Sequence, residues 1–201
     1  MTVKNFVESK IATLDRDEPY SKAACAKLRR AIGKPRSETP DIWDITLLGA
    51  PEDEKSGRAI HTSLTLYALH CQGKDESMND SETGFGTAIA QLVSSNMDNE
   101  ASIRRRFNAV ATSMEFTELA HHARGLVQLL KSNDIKMDYP GFARDLFCFQ
   151  FPEHIDSIRL KWGMQFYRTN NSERIDENEI IYGHTCDSNR AAKLPKQGRN
   201  R

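Results

Sequence analysis

Three consecutive arginines, Arg104, Arg105 and Arg106, stand in a stretch from Ala101 to Met114 that holds no acidic residue. Earlier, between Tyr20 and Arg36, six bases (Lys22, Lys27, Arg29, Arg30, Lys34 and Arg36) occur with no acid among them. A guanidinium offers a planar fork of N–H donors that matches two phosphate oxygens at once, where an ammonium supplies only a point charge. Arg124, Lys131 and Arg144 extend the series on later segments. This is the chemistry of holding an anion, and a row of such residues suits a nucleic-acid backbone. The competing reading is a plain solvated face, or a basic face that meets acidic protein surfaces in a helical protein–protein adaptor.

Sets that would make or break bonds fall short. His121 and His122 are adjacent, so on a helix they project about 100° apart and cannot readily share one ion; one packs and the other is wet. No His-Asp dipeptide occurs, His154 precedes Ile155, and His184 sits in a polar terminal stretch. The GFGTAI run at 84–89 has the two glycines of a phosphate cradle, but no strand precedes it and no Gly-Lys-Ser/Thr follows, so it is expected to open a helix. Asp134 and Asp138 offer only a carboxylate pair, better suited to capping than to metal. Cys25, Cys71, Cys148 and Cys186 form no CxxC pair and are expected as buried thiols. The expectation is therefore no catalytic set, no metal and no cofactor.

The elements that would carry the arginines are helical. Apolar residues recur at three- and four-residue spacing through position 168. The spacing predicts helices over Asn5–Leu14, Ser21–Ile32, Asp41–Leu48, Gly57–Cys71, Phe85–Ser95, Glu100–Ala111, Phe116–Lys131, Tyr139–Phe149 and Glu153–Arg168. Ser21, Thr39 before Pro40, Ser113 and Asp138 before Pro140 read as starts, and Gly33, Gly49 and Gly73 as stops. The polar loop from Gly73 to Gly84 reads as mobile or as a partner contact. The fold class is all-α: a single compact bundle of eight or nine helices over 1–168, followed by a charged tail, 169–201, expected to be disordered. The chain carries 28 basic and 28 acidic residues, so only local patches are charged. No apolar window approaches a membrane span and the first twenty residues are charged, which points to a cytoplasmic protein with no membrane partner.

At 100° per residue, Ala24, Cys25, Leu28, Ala31 and Ile32 gather on one side of the second helix, with Lys27 and Arg29 at its flanks and Arg30 opposite. In the sixth, Ile103, Phe107, Val110 and Met114 form the inward stripe, Arg105 lies opposite, and Arg104 and Arg106 take the shoulders. Arg159 alone falls on an apolar stripe, among Ile155, Ile158, Trp162 and Phe166, and is expected to be structural.

The runs AKLRRA (26–31), FGTAIAQL (85–92), RRFN (105–108), LAHHARGLVQLL (119–130), MDYPGFARDL (137–146) and KWGMQFY (161–167), in this order and spacing, resemble the CasB family. That family is the small subunit of Cascade, the type I-E CRISPR RNA-guided surveillance complex. The resemblance spans Ser21 to Arg168. It implies an all-helical, non-catalytic protein that sits as two copies beside the larger Cascade subunits. There it contacts the crRNA, the target DNA and the displaced DNA strand, stabilising the R-loop. The positions it marks for nucleic acid are Lys27, Arg29, Arg30, Arg58, Arg105, Arg106, Arg124 and Arg144; Lys131 joins them from the charge pattern. The tail from Thr169 has no counterpart in the family's core.

Overall fold

A computed structural model describes the chain from residue 1 to 182, with side chains as far as Thr169. Nine α-helices follow one another among these residues: α1 (Val3–Leu14), α2 (Pro19–Arg30), α3 (Trp43–Thr46), α4 (Glu54–His70), α5 (Phe85–Ser95), α6 (Glu100–Thr112), α7 (Phe116–Ser132), α8 (Tyr139–Phe149) and α9 (Pro152–Tyr182). The described chain has no strands, as the periodicity requires. The predicted third helix shrinks to a 3-10 turn, Pro40–Ile42, and the single α-turn of α3; Leu48 projects outward at 74% exposure. The last helix continues past Arg168 to Tyr182, over a stretch that contains neither proline nor glycine before Gly183. The rest of the expected tail, with Cys186 and His184, lies outside the described residues.

α4 is the hub, packed by α1, α2, α7 and α8. A helix buried on nearly all sides must be apolar or small all round, and α4 buries Ala59, Ile60, Leu64, Leu66, Tyr67 and Ala68 together with Gly57 and Ser63. Several of its inward polar groups are partnered. Ser63 Oγ donates to the Tyr139 carbonyl (3.2 Å), His70 Nδ1 shares a hydrogen bond with the Tyr139 hydroxyl (2.9 Å), and Tyr67 bonds to Asp15 and Ser77. Burial pushes the His70 pKa down to about 4 and the Cys71 thiol up to about 12. The Cys25 and Cys148 thiols are also raised by burial, so the three described cysteines are free and weakly reactive.

A second layer forms where α9 crosses α5 and α8. Trp162 and Phe166 of α9 are buried, Phe166 stacking on Phe107 (4.7 Å between centroids) and Trp162 meeting Phe85 edge-on (5.1 Å). The buried carboxylate of Asp145 collects both oxygens on Lys161 Nζ at 2.6 Å and accepts from Trp162 Nε1 at 2.9 Å. A buried charge persists only when paired and hydrogen-bonded in this way.

Gly84 caps α5 and Gly86 lies in its first turn, but their role is close packing. The Gly86 amide donates to Gln165 Oε1 (3.2 Å), and a Cβ on Gly86 would stand 2.1 Å from the Trp162 carbonyl oxygen.

Several predicted boundaries move. Ser21 lies inside α2, which starts at Pro19, and its Oγ donates to the Thr13 carbonyl (2.8 Å); a proline at the first helical position does the starting. Ser113 ends α6, its Oγ donating to the Ala109 carbonyl (2.7 Å), and Glu115 precedes α7. The chain leaves the helix at Ser113, so Met114 drops out of the buried stripe and is 72% exposed. Asp53 caps α4 through the Ser56 amide, starting that helix ahead of Gly57. Asp138 caps α8 as expected, and Gly33, Gly49 and Gly73 take positive φ at their helix stops.

The Gly73–Gly84 loop, expected to be mobile or a partner contact, is not free: it is strapped to the α7–α8 connection. Met137 N–H donates to Met78 O (3.2 Å), Asp80 N–H to Met137 O (3.1 Å) and Asp138 N–H to Thr83 O (2.7 Å). Met78 is buried, and Lys74 and Lys136 pair with Asp134 and Glu76.

Candidate nucleic-acid interface

The predicted outward arginines do face outward. Arg30, Arg105, Arg106, Arg124 and Arg144 are exposed, while Lys27, Arg29, Arg58 and Lys131 are half-buried. Arg104, on the shoulder of α6, is used internally: its Nε donates to Glu100 at 2.6 Å and its guanidinium lies over Phe166. Arg159 is structural, as its position required. Its Nη2 donates to the Ser113 carbonyl (2.7 Å), closing the end of α6 rather than meeting a buried carboxylate. His121 is exposed, and His122 lies 3.8 Å from Glu118.

The fold sorts the candidates into groups. Arg58 on α4 and Arg124 on α7 line one cavity of ≈ 650 Å³ with Lys34 and Arg36 from the connection after α2. Arg58 stacks over Phe116 (4.6 Å), and Arg124 reaches toward Gly33, whose positive φ turns the chain there. The one carboxylate on the cavity lining, Glu54, is engaged by Arg36 Nη1 at 2.9 Å, which leaves Lys34, Arg58 and Arg124 without a counter-ion among the described residues. Next to this group, Arg106 Nη1 lies 3.5 Å from where a Cβ on Gly125 would stand, which brings the α6 arginines to the flank of α7.

A second group gathers where α2, α4 and α7 end. Arg29 donates to the Ala68 carbonyl (3.5 Å) and Lys131 to Gln72 Oε1 (3.0 Å). Partial burial, and then the neighbouring charges of Arg29 and Lys74, hold the Lys131 ammonium below its ordinary pKa. A strong anion would relieve that repulsion. Arg144 belongs to neither group: on α8 it pairs with Asp145 (3.4 Å), beside Lys161.

Lys34, Arg36 and His61 line this candidate site, although the sequence did not mark them for it. The first two belong to the acid-free run and mark themselves only by charge. His61 is placed by tertiary structure alone: it is 6% exposed on α4, burial holds its pKa below the ordinary histidine range, and its Nε2 has no partner. Among the described residues no group of three or more His, Cys, Asp or Glu is placed to hold a metal ion.

The profile of CRISPR-associated protein Cse2 matches residues 24–167. The chain belongs to the Cse2 family. All nine cations marked above, from Lys27 to Arg144, fall inside the Cse2 span. Among solved structures, CasB from Thermobifida fusca is 28% identical with a TM-score of 0.71, over 82% of this chain and 97% of that one. CasB from M. ruber is 26% identical with a TM-score of 0.65, over 88% and 97%. A chain in a structure described as a CRISPR RNA-guided surveillance complex shares the Cse2 fold at 19% identity, with a TM-score of 0.72 over 87% of this chain and 99% of that one. No curated protein sequence matches the chain. No helix of the described residues is long and apolar enough to cross a membrane.

Proposed function

We propose that this chain is the small, non-catalytic subunit of a type I-E CRISPR RNA-guided surveillance complex, where its arginines grip nucleic-acid phosphates and stabilise the R-loop. The observation that carries the reading is a set of exposed arginines with no counter-ion among the described residues, Arg30, Arg105, Arg106 and Arg124, inside the span that the Cse2 family covers. Exchanging a DNA duplex for an RNA–DNA heteroduplex is nearly balanced in free energy, so backbone contacts to the opened strands tip it without chemistry. Partners in the proposal are crRNA, target DNA, displaced strand, the larger subunits and a second copy of the chain. An apolar stripe on α9, Leu160, Met164 and Tyr167, at 66%, 50% and 55% exposure, supports burial against another subunit.

The test is R-loop retention by the complex reconstituted with wild-type chain, without it, and with Arg30→Glu/Arg105→Glu, both positions lying outside the Arg58–Arg124 cavity. The variant is expected to assemble and to lose retention equally on unrelated target sequences, because phosphate contacts carry no base information. A variant that assembles and retains DNA like wild type refutes the phosphate role. One that no longer assembles assigns these arginines to a protein interface.

A further inference from the structure

The ≈ 650 Å³ cavity beside α4 and α7 is more than a phosphate track needs. Its floor is nearly closed to solvent, with His61 at 6%, Thr65 and Leu66 at 2% and Phe116 at 9% exposure, whereas Lys34, His121 and Arg124 at its mouth are exposed. Apolar walls, a few hydrogen-bonding groups at depth and cations at the opening are what a base joined to a phosphate requires. His61 Nε2 is sealed from water with no partner at normal hydrogen-bond geometry, although the backbone of Ala31 and Lys34 acts on the ring and offsets part of the burial cost. Arg36 lies across Gly57 on this lining, its Nε also unpartnered, and its only ion pair is to the exposed Glu54. Such a surface pair holds a side chain weakly. Arg36 is thus a further cation on the lining.

We infer that this cavity captures one unstacked nucleotide of a single strand, its base entering toward His61 and its phosphate held by Arg58 and Arg124. The inference rests on the nucleic-acid binding proposed above and adds a base-holding site to it. Phosphate contacts alone would bind a backbone stripped of bases equally well, and that difference is the test.

Full-length chain is titrated by fluorescence anisotropy, in dilute salt, with a twelve-nucleotide oligothymidylate and with the same backbone made abasic. The base-bearing strand is expected to bind about tenfold tighter, within the range that one held base contributes. Thr62→Trp and Ala120→Trp each push an indole into the cavity, and each is expected to bring the ratio of the two affinities below about twofold. Because the ratio is taken within one protein, a partly misfolded variant does not imitate the result, and the two substitutions sit on different helices. Equal binding of the two strands by wild type overturns the base site and leaves the phosphate reading standing; binding of neither strand overturns both. A ratio that survives in both plugged variants places base recognition elsewhere. Free thymidine 5′-monophosphate binding as tightly as the strand makes this a mononucleotide site and overturns the strand assignment.

Discussion

Gly86→Ala distinguishes the two physical roles open to the glycine pair of 84–89. A methyl on Gly86 would sit 2.1 Å from the Trp162 carbonyl oxygen and 2.8 Å from Gln165 Cβ. Ordinary contact begins near 3.4 Å, so the α9 backbone must withdraw by about 1.3 Å or α5 must tilt away. Trp162 and Phe166 move with α9, and both are almost wholly buried against Phe85 and Phe107. Overpacking of this kind costs about 1–3 kcal/mol, and the clash here is with backbone, which cannot rotate away. Alanine returns up to about 1 kcal/mol of helix propensity, leaving a net loss of about 2 kcal/mol. For a chain of this size that lowers the melting temperature by roughly 4–8 °C. The internal control is Gly163→Ala, within α9, where an added Cβ meets nothing within 4 Å. It gains about 0.5–1 kcal/mol and raises the melting temperature by roughly 1–4 °C. Thermal unfolding by circular dichroism reads both. A Gly86→Ala protein melting within about a degree of wild type, or a Gly163→Ala protein falling as far as Gly86→Ala, would refute the close-approach argument.

The remaining expectations concern protons and salt. His70 has a folded pKa of about 4 against an ordinary value of 6.5, so between these limits the unfolded chain binds more protons and stability must fall as pH is lowered, levelling off below about 4. Urea midpoints measured from pH 7 to 4 should show this slope, and His70→Gln should reduce it, leaving the part that buried His61 contributes with the same sign; an unchanged slope in the variant assigns the effect to other groups. Arg30, Arg105, Arg106 and Arg124, exposed and without an ion pair among the described residues, should each neutralise one phosphate of a single strand, giving a log–log salt slope of about −2.8. Arg105→Gln should flatten that slope by about 0.7, and a slope near zero in wild type would remove the phosphate account.

The helices were legible because each must bury a stripe against its neighbours, and a stripe leaves a 3.6-residue period in the sequence. The outward arginines were legible from the same wheel, since a side chain opposite a buried stripe has only solvent to face. What failed was local. Ser21 and Ser113 have good capping chemistry, yet Pro19 and the turn at Ser113 put the helix ends elsewhere, and the two hydroxyls bond to distant or preceding carbonyls. The Gly73–Gly84 loop is polar enough to be free, but its backbone groups find partners on a segment some sixty residues away in sequence, beyond the reach of any local pattern.

The pattern of apolar and basic residues by itself determined an all-helical chain and the face on which Arg30 and Arg105 stand. Periodicity and residue type are properties of single helices. Only the tertiary structure decided that Arg58, Arg124, Lys34 and Arg36 line one cavity, that Arg144 pairs with Asp145, and that His61 is buried with Nε2 unpartnered. Which helices lie side by side depends on how the stripes of α2, α4 and α7 interlock, and that packing has no counterpart in the order of residues along any one of them.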